Sequence, residues 1–430
     1  MMSLAVFLVV VGSYTTIERP ANAKRANINH PLFDPTDRDE TSIPDAAIDE
    51  KNATAMPILA GIVLVGLYFA INNYGIEKIS TLLNGYLVLM SIKSNAFAVT
   101  YTIKTINRKI AHSLGRRPKH LSTRFAFTIS EDQEIHSSGV EENFLLPDST
   151  EAEKIVKSEL LLETRSDIKK ESQLFNYYFS YADVYGWILG SLTTAIYIAC
   201  DGKNNWILSN TLGASFTLLT ISISRLPSFK PAAIMLVLFF IYDIYFVFGS
   251  DVMLSVATKI DIPVKLLIPR GISVEKNNIE MSILGLGDII IPALFVSLCL
   301  RFDLYSYHQT HPDTEFHHLQ KYPKPYFWSA LSGYIFGLST TIAVLHRFQH
   351  GQPALLYLCP SLLLFTLATA VYRKDLRKVW QYNEEEDLPQ LDPSTDNVVS
   401  PETMLLVKSA FAEDEDDDSD YEPEPVSDSD

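Results

Sequence analysis

Cysteine is scarce in this 430-residue chain. The three residues, Cys200, Cys299 and Cys359, each lie in or beside an apolar stretch, and none shows a Cys-x-x-Cys spacing. That argues against a disulfide framework and against a zinc site. N-glycosylation sequons are as thin: Asn52-Ala53-Thr54 stands alone and almost abuts an apolar run. Basic residues all but vanish towards the C-terminus. From Asn383 to Asp430 there are eighteen acidic residues against one basic, Lys408, a net of −17, whereas the whole chain carries −16, so the other residues sum to +1. The acidity therefore belongs to a tail, ending AEDEDDDSDYEPEPVSDSD, which is too poor in apolar residues to fold alone.

The chain is rich in apolar runs. Hydrophobic residues make up 47% and are bunched, as in MPILAGIVLVGLYFAI (56–71) and PAAIMLVLFFIYDIYFVFG (231–249). A helix needs about 20 residues to cross roughly 30 Å of hydrocarbon. The pattern predicts an all-α, polytopic transmembrane helical bundle of about nine spans: 3–17, 56–72, 80–103, 184–200, 206–223, 231–250, 282–300, 326–345 and 353–372. The first is short but lacks a basic leader and a small-residue cleavage site, which favours a retained span. Four regions follow: an N-terminal membrane region (1–103, spans one to three), a polar cytosolic loop (104–183) with some helix around 151–171, a membrane core (184–372, spans four to nine) and the acidic disordered cytosolic tail (373–430).

Orientation follows from Lys and Arg, which concentrate in cytosolic loops. With a cytosolic C-terminus, the segments on that side hold 27 basic residues and the opposite segments 7.

Charge is also rare inside the spans, which makes its exceptions informative. Two carboxylates lie well within apolar sequence: Asp243 in FFIYDIYFVFG and Asp288 in ILGLGDIIIPALF. Such acids are expensive to bury and are functional candidates by default. Asp243 lies about seven residues from the far end of span six. If span seven begins near residue 282, Asp288 lies about seven residues into it. At a rise of about 1.5 Å per residue both sit roughly 10 Å from the 251–281 loop, so two antiparallel neighbours hold them at one depth. Two close carboxylates share a proton, and one can deprotonate water while the other polarises a carbonyl. Proton-coupled transport uses the same pairing, so depth alone leaves hydrolase and transporter open.

Neighbouring residues sharpen the choice. Gly285 and Gly287 flank Leu286 just before Asp288, which clears bulk there and admits a substrate strand. Small residues also serve helix packing. Tyr242 precedes Asp243 and on a helix points elsewhere, to hydrogen-bond or to pack. Gln352-Pro353-Ala354-Leu355 opens span nine, where proline at a helix start is ordinary.

Tyr-Asp in one span, Gly-Leu-Gly-Asp in the next and Gln-Pro-Ala-Leu opening the last are together similar to the GxGD intramembrane aspartyl proteases. Within that class the chain resembles signal peptide peptidase, with a presenilin-like fold. The likeness runs from about 180 to 370 through WILSNTLGASFTL, FFIYDIYFVFGSDVMLSVA, PVKLLIPR, LGLGDIIIPALFVSLCLRFD and GYIFGLSTTIAVLHRFQHGQPALLYLCP, and more weakly over 56–103.

The resemblance implies an intramembrane aspartic endopeptidase with Asp243 and Asp288 as its catalytic pair and no metal or cofactor. It implies that Tyr242, Gly285, Leu286 and Gly287 shape the site and that Gln352, Pro353, Ala354 and Leu355 help to place the substrate. Pro292-Ala293-Leu294 spells the same tripeptide inside span seven but does not occupy the family's position. The implied substrates are type II-oriented transmembrane helices, signal-peptide remnants above all, in the endoplasmic reticulum membrane. Partners implied are the lipid bilayer, further copies of the chain and reticulum quality-control proteins, with no nucleic acid. A loop of about thirty residues between the aspartate-bearing spans favours signal peptide peptidase over presenilin. A transporter, or a membrane chaperone that binds helices without cutting them, is the rival.

Overall fold

Backbone N–H and C=O groups find no water in hydrocarbon, so an apolar stretch of spanning length satisfies them internally as a helix. The computed structural model describes residues 1–20, 22–24, 50–114, 124–130, 173–200, 202, 205–248, 265–273, 278–348 and 353–384. Within them each of the nine apolar stretches is helical: α1 (Met2–Thr15), α2 (Glu50–Tyr74), α3 (Ile76–Ser113), α4 (Tyr181–Ala199), α5 (Trp206–Ile223), α6 (Phe229–Phe248), α7 (Gly287–Thr310), α8 (Pro325–Phe348) and α9 (Leu355–Arg373). A short α10 (Leu376–Gln381) follows. Seven of the nine are long and apolar enough to cross a membrane. The exceptions are α1, with 14 residues, and α4, diluted by Asp183 and its tyrosines. The helix expected around 151–171, residue Gln352 and the acidic tail beyond Glu384 lie outside the described residues, whereas the first residues of the expected tail, 373–384, include the end of α9 and α10.

One stretch differs from its expected form. Residues 282–285 are extended, not helical: β4 (Asn278–Gly285) pairs antiparallel with β3 (Lys265–Ser273), Leu267 opposite Ile283 and Lys265 opposite Gly285. The sequence explains this in retrospect. NIEMSIL alternates apolar and polar side chains with the period of a strand, and two closely spaced glycines follow, poor helix formers both. A second antiparallel pair, β1 (Arg124–Ser130) and β2 (Gln173–Ser180), leads into α4.

α7 is the hub. It packs against α1, α5, α6, α8 and α9, and its side chains from Pro292 through Leu304 are all buried. Two seams flank it. In the first, Gly186 and Gly190 of α4, four residues apart, let α3 approach so closely that a Cβ at either would collide with Ala96 backbone. Asn95 then donates to Thr194 Oγ1 at 3.0 Å, and Ser91 and Thr194 hydroxyls meet at 3.1 Å. In the second, Gly333 and Gly337 of α8 lie against the α9 backbone at Ser361 and Leu358. Small residues at helical spacing replace the hydrophobic effect, which does not drive helices together in lipid.

The end of α7 remote from Asp288 is tied by charge. Asp303 accepts the N–H groups of Tyr326 at 3.2 Å and Phe327 at 2.8 Å, capping α8. The buried Arg301 donates to Glu384 at 2.9 Å and to the Leu226 carbonyl at 2.6 Å. α1 belongs to this core, burying Ala5, Leu8, Val9, Gly12 and Ser13. Lys324, just ahead of α8, sits over the rings of Tyr14 and Tyr322 and donates to the Tyr14 hydroxyl at 2.9 Å. The cysteines are free: Cys299 and Cys359 are buried and Cys200 is exposed.

Candidate active site

Asp243 faces inward from α6 and is 4% exposed. A carboxylate so placed needs donors, and the start of α9 supplies them. The N–H of Leu355 donates to Asp243 Oδ2 at 3.0 Å, and the N–H of Leu356 also reaches the carboxylate. The first N–H groups of a helix have no partner within it and carry its partial positive charge. Pro353 and Ala354 bring the chain into that first turn, with Ala354 at the cap position.

Asp288 is the second residue of α7. It lies in a helical first turn, not seven residues into a span, because β4 carries the chain to Gly285 and Leu286 forms the cap. Each carboxylate therefore sits at a helix N-terminus, Asp288 at that of α7 and Asp243 at that of α9. The macrodipoles offset part of the cost of charge in a dry interior. α6 and α7 are in contact, and the two carboxylates interact electrostatically. Four residues beyond Asp288, Pro292 has no N–H to offer the Asp288 carbonyl, which loosens this turn.

The glycines act through space. A Cβ at Gly285 would lie 3.4 Å from Asp288 Oδ2, in ordinary contact, while one at Gly287 would meet nothing within 4 Å. Gly287 is exposed and Asp288 half-buried, so one side of the acid is open. Leu286 between them is buried and faces α5 at Gly213.

The structure thus brings Asp243, Gly285, Asp288, Ala354 and Leu355 to one place. Tyr242 packs its ring 4.6 Å from that of Phe246 and 6.0 Å from that of Phe239, beside Gly61 of α2, and interacts electrostatically with Asp243. Gln352 lies outside the described residues. Pro292, Ala293 and Leu294 are buried within α7, remote in role from the cap at 353–355. Two residues were missed in the sequence. Tyr334 of α8, fully buried with no hydrogen-bond partner for its hydroxyl among the described residues, interacts electrostatically with Asp288. Cys359 of α9 does so with both aspartates. The only signal was their helical phase, Tyr334 beside Gly333 and Cys359 one turn after Leu355. Among the described residues no cluster of three or more His, Cys, Asp or Glu could hold a metal ion.

The family described as signal peptide peptidase matches residues 39–386. A Saccharomyces cerevisiae protein named "probable intramembrane protease" is 31% identical, over 95% of this chain and 76% of its own length. Human signal peptide peptidase is 29% identical, over 78% of this chain and 74% of its own. Intramembrane protease 2 of Caenorhabditis elegans is 39% identical over 53% of this chain and 50% of its own. The chain belongs to the signal peptide peptidase family, and is a multi-pass membrane hydrolase of the intramembrane aspartyl protease class.

Proposed function

We propose that Asp243 and Asp288 are the catalytic pair of this protease and that its substrates are transmembrane segments in type II orientation, signal-peptide remnants among them. The observation that carries the assignment is the Leu355 N–H on Asp243: it links the Pro-Ala-Leu cap to one acid, while Gly-Leu-Gly delivers the other.

The chemistry needs no metal. The ionised carboxylate takes a proton from water as its oxygen attacks the scissile carbonyl carbon. The protonated partner donates to the carbonyl oxygen, giving a gem-diol. As the diol collapses, a proton passes to the amide nitrogen and the C–N bond breaks. A helical substrate hides its carbonyls, so the bond to be cut must unwind first. Gly, Ser or Pro near the cut lowers that cost. The β3–β4 sheet has two strands, so the outer edge of β4 has no further strand among the described residues. An unwound segment can add there, next to the open side of Asp288.

The bias of basic residues, 27 against 7, supports a cytosolic C-terminus. Residence in the endoplasmic reticulum and association with further copies or quality-control partners rest on the family. Proton-coupled transport, the rival function, gains nothing from relatives named as proteases.

The test expresses wild type, Asp243→Ala and Asp288→Ala with a type II membrane reporter. Wild type should release a fragment and both variants none. Normal cleavage by either variant would disprove the pair.

A further inference from the structure

Asn210, on α5, makes with β3 the pair of hydrogen bonds that one strand makes with another. Its Nδ2 donates to the carbonyl of Leu267 at 2.6 Å, and its Oδ1 accepts the N–H of Leu267 at 2.8 Å. In an antiparallel ladder the backbone groups of successive residues face alternate sides. Those of Leu267 are turned from β4 towards α5. A side-chain amide carries both a donor and an acceptor in the right array without a change of protonation.

Gly213 lies three residues along, on the same face of α5. A Cβ there would sit 3.3 Å from Leu266 Cδ2 and 3.5 Å from Leu286 Cδ2. Leu266 is fully buried and Leu286 nearly so. α5 therefore meets the strand pair with a grip at Asn210 and a clearance at Gly213. The clearance receives the leucine that stands between the two glycines before Asp288. From the grip, a covalent and hydrogen-bonded path leads to that acid: the residues flanking Leu267, Leu266 and Ile268, pair with Leu284 and Ser282 of β4, β4 ends at Gly285, and Leu286 caps α7. α7 is held at its other end through Arg301 and Asp303. The strand pair is what locates its first turn.

We propose that Asn210 is a positioning residue for peptide-bond hydrolysis: by clamping Leu267 it fixes the β3–β4 pair against α5 and so sets the Asp288 carboxylate opposite Asp243. The proposal rests on Asp288 belonging to the catalytic pair. Substrate need not touch Asn210, so its loss should appear chiefly in turnover, with at most a smaller change in substrate affinity through the β4 edge.

The experiment uses the purified full chain in detergent micelles with a type II transmembrane reporter peptide. kcat, KM and thermal melting are measured for wild type, Asn210→Leu, Asn210→Asp, Asn210→Gln, Thr211→Val and Asp288→Ala. Asn210→Leu, nearly the same size but unable to hydrogen-bond, should lower kcat roughly ten- to a hundredfold, the scale of a misplaced reacting group, with KM within about twofold. Asn210→Gln, which keeps both groups on a longer stem, should restore at least part of that loss. Asn210→Asp keeps only the acceptor and should fall between Leu and wild type; it carries the test if Asn210→Leu does not fold. Thr211→Val, on another face of α5, should turn over as wild type. The proposal is overturned if kcat per folded enzyme is unchanged in Asn210→Leu, or if Leu and Gln variants fall equally while both stay folded. It also fails if KM alone moves. An active Asp288→Ala would instead strike down the catalytic pair, so the two failures are distinguishable.

Discussion

α2 and α7 are both apolar enough to span a bilayer, and α2 is the more apolar of the two, yet their surroundings are opposite. Of its most apolar stretch α2 buries 11% and α7 78%. α2 presents Ile58, Leu59, Ile62 and Val63 outward, each about 60% exposed. α7 touches five other helices and has almost no outward face. Lipid tails are as apolar as leucine, so hydropathy marks entry into the membrane and says nothing of depth within the bundle. α7 is placed by the strand pair that leads into it at the Asp288 end and by Arg301 and Asp303 at the other.

The comparison can be pressed, beginning with the largest effect. Asp288→Ala should reduce fragment release by at least the factor of about 10²–10⁴ that general acid–base catalysis contributes; no substitution on the outward face of α2 should approach it in the same reporter assay. Next, Leu298→Ala removes a fully buried side chain from α7 and should destabilise by about 2–5 kcal/mol, read as a lower melting temperature in detergent. Survival of the wild-type melting temperature would mean that α7 is not tightly enclosed.

A smaller effect is expected where α2 meets the bundle. A Cβ at Gly61 would lie 3.4 Å from the Phe246 ring, in ordinary contact. Gly61→Ala should therefore cleave as wild type, while Gly61→Leu pushes against Phe246 and Tyr242. Because α2 can yield into lipid, Gly61→Leu should cost no more than about 1–3 kcal/mol, the usual range for overpacking, by the same melting assay. Smallest of all, Ile62→Ala should change stability by less than about 0.5 kcal/mol. A large loss there would show that another chain, not lipid, covers this face.

Much of this was legible before any coordinates. All nine helices overlap the apolar runs, since hydrocarbon leaves the backbone no alternative, though α3 and α7 each run on about ten residues past the expected end, to Ser113 and Thr310. Asp243 and Asp288 stood out because charge is scarce around them. The strand before Asp288 was harder to see: a run bounded at 282 reads as helix when the membrane is taken as continuous, and only pairing with β3 makes strand the better state. The alternation in NIEMSIL was its one local trace. Tyr334 and Cys359 carried less still, because in an apolar helix a tyrosine or cysteine reads as packing until its neighbours are known.

Membership of the membrane, the run of nine helices and the two exceptional acids were set by local chemistry, namely the cost of an unsatisfied backbone or a charge in hydrocarbon. Tertiary structure settled which helix is enclosed, which glycine clears space and which helix end faces which acid. The Leu355 N–H meets Asp243, 112 residues away in sequence, and Asn210 grips Leu267 at a separation of 57. Contacts of that kind depend on how helices rotate and slide against one another, and no local periodicity encodes them.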